Sequence, residues 1–364
     1  MFSNKRGAAF LLAGCLAAGS LTGCSFTDNQ VLVKIDGGKD KITFGYANFN
    51  AKMTQAMYDV LYKTSSQANY KDLWTKASES GSGTMETSTK SQILAGMKTA
   101  YFLTKNAKDY GVELSADEKK KVKATAKEFM KDNSKAAKKQ LGASREYVEH
   151  YLEDQLYTEK MQTAIEAKAD TTVSDEEANM KTISYVYFTD QVTTGSDGKP
   201  KVPTDEEIAK AKTSAEAIAS ASDFDSAVTA NGGTQETFSY DAATLKKAKK
   251  SGSASISSGD SLPYGVLEAV DGLSNGQITK AIYVKNKGYY VASMKAVTDQ
   301  EKTESNRTSL SNQKKTDYYN STLKKMEAKS TWKVNKRLWK KVRFINRFTG
   351  SLVKESKKSE SSGK

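Results

Sequence analysis

The chain has 364 residues and a formal net charge of +13 at pH 7, with 56 lysines and arginines, 43 acidic residues and only three prolines. This length is enough for two or three domains of about 100 to 200 residues each, and the scarcity of proline favours long helices. One of the two cysteines, Cys15, lies in a segment that we expect to be removed. A mature monomer therefore has no disulfide, and its stability must come from packing.

The first residues have the three-part plan of an export signal. A basic pair at positions 5 and 6 is followed by an apolar run, Ala8–Ala18, and then by Leu21–Cys24. The run is too short to cross about 30 Å of hydrocarbon as a mature helix, so we expect residues 1–23 to be cleaved off. Leu21–Cys24 resembles the bacterial lipobox, which implies that Cys24 becomes the N-terminus and carries a diacylglycerol. Residues 24–30 would then be a short tether between the lipid and the folded chain.

Residues 31–180 have the pattern of a mostly helical domain that begins with a small hairpin. Val31–Thr43 predicts two short strands around a turn at Gly37 and Gly38. Apolar residues at helical spacing follow, and Ser-x-x-Glu capping boxes mark two of the helix starts. The predicted helices begin near Tyr46, Ile93, Ser115, Ser144 and Ser174.

Residues 181–299 have a different pattern, in which short strands alternate with helices. This mixture predicts one small sheet with helices packed on it, so the chain as a whole belongs to the α+β class. The predicted elements are a strand Ile183–Phe188, a helix Thr204–Ala219, a strand Thr234–Tyr240, a lysine- and serine-rich loop to Ser261, a short helix around Leu267, a strand near Ile282 and a strand Gly288–Ala296.

Residues 300–346 are predicted to be helical again, with a long polar helix, Gln300–Ala328, before a basic aromatic segment, Trp332–Phe344. Residues 347–364 are rich in serine and lysine and are predicted to be disordered. Lys333–Lys364 contains eleven basic residues and two acidic ones, a net charge of +9. Most of the positive charge of the mature chain is therefore predicted to lie at its C-terminal end.

With these elements in place, the chain resembles the PrsA-type extracytoplasmic foldase lipoproteins, relatives of the chaperone SurA, over nearly its whole length. The likeness lies in the order and spacing of three phrases that join a helix end to the next helix start: Ala107–Glu118, Leu141–Tyr147 and Thr172–Glu177. It implies a helical chaperone domain built from N- and C-terminal segments, with a small α+β domain inserted between them. It also implies a lipoprotein on the extracytoplasmic face of the cell membrane of a Gram-positive bacterium, whose partners are unfolded or partly folded exported proteins.

The inserted domain resembles a parvulin, a peptidyl-prolyl cis/trans isomerase module, most clearly at Leu262–Thr279 and Lys287–Val291. The resemblance places the substrate pocket and its polar network at positions where this sequence departs from the family. Tyr185 and Tyr290 stand in place of two histidines, Leu262 in place of a methionine and Val266 in place of a phenylalanine, and the loop that supplies an acid or a thiol is shortened to Ala230-Asn231. These departures imply a degenerate parvulin domain in a foldase.

Two other functions stay open at this point. Tyr185 and Tyr290 keep hydroxyl groups in the polar network, so the domain could be an active isomerase. Alternatively, Lys333–Lys364 could bind anionic lipid or cell-wall polyanions, with its aromatic residues either exposed for that purpose or packed on the helical domain. A homodimer is also left open, and nucleic acid is not an expected partner of an exported protein.

No sequence pattern indicates a cofactor or a metal. The chain has no glycine-rich phosphate loop, no paired cysteines or histidines and no Gly-x-Ser-x-Gly elbow. Its single histidine, His150, lies on a predicted helix of the other domain, where a surface or core role is expected. Four methionines of the helical domain offer either adaptable client contacts or plain core packing; they are Met53, Met57, Met97 and Met130.

Overall fold

A computed structural model describes residues 28–64, 72–79, 81, 83–194, 199–256 and 261–348. The chain forms two compact units: unit 1 contains the residues up to Ala169 and those from Thr316 onward, and unit 2 is Asp170–Lys315. The prediction of an α+β chain, mostly helical and with a small α+β insertion, is confirmed. The finer domain limits at 180/181 and 299/300 stay a prediction. The predicted signal peptide, Cys24 and nearly all of the predicted tail lie outside the described residues.

Unit 1 combines a small sheet with a set of helices. Its N-terminal elements are β1 (Val31–Ile35), β2 (Asp40–Thr43), α1 (Phe44–Thr64), α2 (Met85–Lys105), α3 (Ala116–Asp132), α4 (Lys135–Leu141) and α5 (Arg145–Glu166). Its C-terminal elements are the second half of the long helix Gln300–Ala328, the strand Trp332–Val334 and the short helix Lys336–Trp339. Within the described part of the chain, no helix is both long enough and apolar enough to cross a bilayer.

The two ends of the chain meet in one sheet of unit 1. Val31–Ile35 is the central strand and pairs antiparallel with both Asp40–Thr43 and Trp332–Val334. The C-terminal segment was expected to be helical, so this strand corrects the prediction. Its pairing depends on contacts with residues about 300 positions away, and local sequence periodicity cannot reveal such contacts.

The last described residues, 342–348, form a segment that we call the C-terminal strap. Polar side chains of α1 hold its backbone: Lys52 Nζ donates to the carbonyl of Arg343 at 2.6 Å, and Asp59 Oδ2 accepts from the amide of Phe348 at 2.8 Å. Val342 and Phe344 are each only 1% exposed, and the Phe344 ring meets Trp74 edge-on at 4.6 Å. The strap is therefore a part of the unit 1 core.

Several side chains for which the sequence left both a binding role and a packing role open belong to this core. Leu338, Trp339 and Phe344 are buried, so these apolar residues of the basic C-terminal segment pack on the helical unit. Of the four methionines named above, Met53, Met97 and Met130 pack in the core of unit 1, and Met57 is half-buried.

We predict that Phe344→Ala lowers the free energy of unfolding by about 3 to 5 kcal/mol, because it leaves a cavity against Trp74. The neighbouring Ile345 is 68% exposed and provides a matched control, for which Ile345→Ala should cost less than about 0.5 kcal/mol. Urea unfolding of the mature chain measures both changes. Similar losses for the two variants would contradict the burial of the strap.

Unit 2 contains a four-stranded antiparallel sheet with helices on both faces. Its elements in chain order are α6 (Asp175–Ala178), β3 (Lys181–Thr189), β4 (Thr193–Thr194), β5 (Pro200–Lys201), α7 (Asp205–Ala219), α8 (Phe224–Ala230), β6 (Glu236–Tyr240), α9 (Ala242–Ser251), β7 (Ser253–Ser255), β8 (Ser261–Pro263), α10 (Tyr264–Asp271), β9 (Ile282–Val284), β10 (Gly288–Ala296) and the first half of α11 (Gln300–Ala328). The strand Trp332–Val334 is then β11, and the helix Lys336–Trp339 is α12.

The sheet of unit 2 has the strand order β6-β3-β10-β9. Successive side chains of a strand point to opposite faces, so β3 contributes Ile183 and Tyr185 to one core and Val186 to the other. The first core lies under α9 and α10, and the second lies under α7 and α8. The unit therefore has a separate hydrophobic core on each face of its sheet.

The lysine- and serine-rich segment before Ser261 was predicted to be a loop, and this prediction is wrong. It contains the helix α9 and the strand β7. Asp241 caps the helix by accepting from the amide of Thr244 at 2.7 Å, and Gly252 ends it with φ of +84°. Ala248 is buried, while four lysines of α9 stay in solvent, so the segment is an amphipathic helix with a narrow apolar face.

Candidate functional site

A cleft of about 330 Å³ lies on the face of the unit 2 sheet that carries α9 and α10. We call it the tyrosine cleft, because three tyrosines contribute to its walls. Its lining residues are Tyr185, Tyr187, Thr189, Gln191, Glu236, Ile256, Ser261, Leu262, Asn286, Lys287 and Tyr290. The volume is at the lower end of the range for small-ligand pockets, which suits one or two residues of a peptide.

Strand pairing brings the three tyrosines together. Tyr185 and Tyr187 are two residues apart on β3 and therefore share a face. Tyr290 on β10 lies directly opposite Tyr187, and their rings stack with centroids 5.4 Å apart and an interplanar angle of 17°. Tyr187 remains 46% exposed, whereas Tyr185 and Tyr290 are buried. The cleft therefore offers an aromatic surface that a ligand can reach.

A carboxylate lies beside the deepest tyrosine. Glu236 is opposite Tyr185 in the β3–β6 pair, and the Tyr185 hydroxyl donates to Glu236 Oε2 at 2.5 Å. Burial, and then the hydrogen bond to this carboxylate, raise the pKa of Tyr185 above its ordinary value. Tyr185 therefore stays protonated at neutral pH, with its hydroxyl directed to Glu236.

The opposite rim of the cleft is basic and is positioned by a tight turn between β9 and β10. Lys287 Nζ donates to Ser261 Oγ at 3.0 Å. Asn286 has a left-handed backbone with φ of +60°, and Gly288 follows at +119°. A Cβ on Gly288 would lie 2.1 Å from the carbonyl oxygen of Phe188, so only glycine allows β10 to approach β3 so closely. The cleft thus has an acid on one side and an ammonium group on the other.

Of the site residues predicted from the sequence, the structure places some in the cleft and others outside it. Tyr185, Leu262 and Tyr290 line the cleft, while Val266 is fully buried in the adjoining core and is not a lining residue. Cys24 lies outside the described residues.

The only histidine of the chain lies outside unit 2, the unit that contains the cleft. His150 belongs to unit 1, where its ring stacks on Tyr46 with centroids 4.1 Å apart. Tyr46 in turn donates to Asp154 at 2.5 Å. The sequence predicted a surface or core role for His150, and the side chain lies at the surface.

Eight of the eleven lining residues were not predicted as site residues from the sequence, and three of these are central to the chemistry of the cleft. Tyr187 could have been found, because it follows Tyr185 at the two-residue spacing of one strand face. Glu236 and Lys287 could not, because their place in the cleft depends on the β3–β6 register and on the turn before β10. An acid from β6 is thus present in the cleft although the loop at Ala230-Asn231 is short.

The chemistry available in the cleft is that of aromatic faces, one carboxylate and one ammonium group. Within the described part of the chain, no group of three or more histidine, cysteine, aspartate and glutamate side chains is arranged to hold a metal ion. Proline rings and extended peptides dock well on aromatic walls. The arrangement is suited to binding a short peptide segment, with polar groups at both ends of the cleft for its backbone.

Comparisons with known proteins give matches among solved structures. No family model and no curated protein sequence matches the chain. Among solved structures, the chain is similar to the foldase protein PrsA from Streptococcus pneumoniae str. Canada MDR_19A, at 19% identity over 73% of this chain and 97% of that one, with a TM-score of 0.25. A TM-score this low does not establish a shared fold, so the site described here rests on the geometry of this chain alone.

We predict that Tyr185→Phe lowers the free energy of unfolding by about 1 to 2 kcal/mol, because it removes a partly buried hydrogen bond to a carboxylate. Tyr283→Phe is the matched control: its hydroxyl also donates to a carboxylate, that of Asp190 at 2.8 Å, but the residue is 53% exposed. The control should change stability by less than about 0.5 kcal/mol. Chemical unfolding measures both variants, and an equal effect would mean that the Tyr185 bond is screened by water.

Proposed function

We propose that the chain is a membrane-anchored extracytoplasmic foldase that holds exported proteins after translocation, and that the tyrosine cleft binds segments of these clients. In this proposal, unit 2 keeps a parvulin-like peptide site but does not catalyse prolyl isomerisation. The single observation that carries the proposal is the exposed ring of Tyr187, which stacks on Tyr290 in the wall of the cleft.

The aromatic wall is suited to a proline-containing or extended client. A proline ring packs on an aromatic face with little loss of conformational entropy, because its backbone φ is already fixed. Leu262 supplies an apolar floor, and Gln191 and Asn286 at the margin can pair with peptide groups. Each contact is sequence-tolerant, which a chaperone needs because its clients differ in sequence.

The polar groups of the cleft favour binding over catalysis. Rotation about a peptidyl-prolyl bond crosses a barrier of about 20 kcal/mol, and a catalyst must stabilise the twisted state more than the planar one. The innermost hydroxyl, that of Tyr185, is already committed to Glu236. No histidine is available in unit 2, since the single histidine of the sequence is His150.

Anchoring is proposed on the sequence of the first residues. The basic start, the short apolar run and Leu21–Cys24 together support export, cleavage before Cys24 and lipidation of its thiol. Two acyl chains hold a protein on a bilayer far more firmly than one. The folded chain would then meet clients at the membrane surface as they emerge.

We predict that the mature, unlipidated chain, residues 25–364, suppresses aggregation of an unfolded client without accelerating a proline-limited refolding reaction. Tyr187→Ala should weaken the protection by about threefold or more, because it removes half of the stacked aromatic wall, a contact of about 1 kcal/mol. Tyr283→Ala removes a similarly exposed tyrosine outside the cleft and should leave protection unchanged. Light scattering of the client and its fluorescence during refolding are the two measurements.

No protection beyond that of an inert protein would overturn the chaperone proposal, and equal effects of the two alanine variants would overturn the role of the cleft. The second candidate function is an active isomerase, favoured by the presence of Glu236 beside Tyr185. Acceleration of refolding at catalytic amounts, lost in Tyr185→Phe, would establish that function instead.

A further inference from the structure

Unit 1 carries a second strongly basic stretch, which is distinct in sequence from the basic C-terminal tail. Residues 119–139 contain nine lysines and two acidic residues, a local net charge of +7. We call this region of α3 and α4 the lysine surface. Its lysines are Lys119, Lys120, Lys121, Lys123, Lys127, Lys131, Lys135, Lys138 and Lys139, and all except the half-buried Lys138 are exposed.

The lysines are concentrated on the outer side of α3. Val122 and Ala126 are buried against the unit, and Lys120, Lys127 and Lys131 lie about half a helical turn away from them. Among the described residues, no acidic side chain lies within ion-pairing distance of any of the nine lysines. The positive charge of this face is therefore not neutralised within the fold.

This arrangement lowers the stability of the helix. Lys123, Lys127 and Lys131 follow one another at four-residue spacing, where like charges repel. The backbone amides of Ser115 and Glu118 at the start of the same helix are satisfied by the capping box that these two residues form. The start of α3 is therefore stabilised by its cap, whereas the lysines along its outer face repel one another. This contrast indicates that the outer face serves contact with a partner and not folding.

The lysine surface lies toward the end of unit 1 where the chain enters it. Lys160, near the end of α5, donates to Glu118, near the start of α3, at 2.9 Å, so these packed helices run in opposite directions. The end of α3 therefore lies near the start of α5. There, a Cβ on Gly45 would lie 2.2 Å from the hydroxyl of Tyr147 and 2.6 Å from Cβ of Asp28.

The entering chain and α4 are joined to the same end of α1. The amide of Gly45 donates to the carbonyl of Asp28 at 3.0 Å. One turn further along α1, the side-chain nitrogen of Asn48 lies 3.0 Å from a Cβ placed on Gly142, the residue that ends α4. Asp28 follows Cys24 by four residues, which span at most about 14 Å. A lipid on Cys24 would therefore hold this end of unit 1 close to the bilayer.

We infer that the lysine surface is a contact surface for an anionic lipid bilayer, which orients unit 1 on the membrane. The inference rests on the lipid anchoring in the proposed function. Lysine ammonium groups are mobile point charges, which suits a fluid layer of headgroups better than one rigid phosphate site. Each such charge near an anionic membrane contributes about fivefold to partitioning.

The test is co-sedimentation of the unlipidated mature chain with phosphatidylcholine vesicles, with and without an equal part of phosphatidylglycerol. We expect binding to the anionic vesicles alone, weakened by salt. Replacing Lys123, Lys127, Lys131 and Lys135 by glutamine should weaken it by more than about tenfold. The helix content should not fall in this variant, because repulsion along α3 is relieved.

Two matched controls remove the same charge elsewhere. One replaces four exposed lysines of α9 by glutamine, and the other replaces four lysines of the tail; these are Lys246, Lys247, Lys249 and Lys250, and Lys354, Lys357, Lys358 and Lys364. Both controls should keep most of the binding. The inference would be overturned by an equal loss of vesicle binding in either control, or by equal binding to neutral and anionic vesicles. It would also be overturned by binding to a soluble phosphate polymer but not to vesicles.

Client protection measured without vesicles separates this inference from the proposed function. The lysine-surface variant should protect an unfolded client as well as the unaltered chain does, because the tyrosine cleft is untouched. If the lysine-surface variant binds vesicles as well as the unaltered chain does and still protects the client, the inferred membrane contact is wrong and the chaperone proposal stands.

Discussion

The antiparallel pairing of β3 with β10 is the constraint on which the candidate site depends. The paired stretch runs from Thr182 opposite Ala296 to Thr189 opposite Gly288, and every second residue of each strand faces the same core. This register puts Tyr187 opposite Tyr290 and sets Tyr185 beside them. A slip of β10 by one residue against β3 would send Tyr290 to the face covered by α7 and α8, away from Tyr185 and Tyr187. The glycine at position 288 makes the close approach of the strands possible at the open end of the cleft.

Much of the fold could be predicted from the sequence because its signals are local. The capping boxes at Ser115, Ser174 and Thr204 are present as side-chain hydrogen bonds, and β10 has the predicted limits. The predictions failed where distant residues decide the structure, as in β11, whose pairing partner is the first strand of the chain. They also failed where composition was misleading, since the lysine-rich segment that was predicted to be a loop contains the amphipathic helix α9. Glu236 could not be placed in the cleft from the sequence, because its position depends on the register between β3 and β6.

The basic character of the chain has two locations with different structural roles. Near the C-terminus, Trp339 of α12 and Phe344 of the C-terminal strap are buried between charged residues, and both pack in the core of unit 1. On α3 the lysines are exposed and have no ion-pair partners among the described residues. Net charge by itself could not distinguish a segment that packs from a surface that is free to meet a partner. Burial and ion pairing make that distinction.

The central claim is that the tyrosine cleft binds a peptidyl-prolyl segment without isomerising it. Exchange NMR of an isotope-labelled peptide with one proline tests the claim most directly, because one spectrum reports both binding and cis/trans exchange. We expect resonance shifts that are strongly reduced by Tyr187→Ala, with no exchange peaks between the cis and trans forms on the timescale of seconds. Exchange peaks that appear with a substoichiometric amount of the mature chain would contradict it.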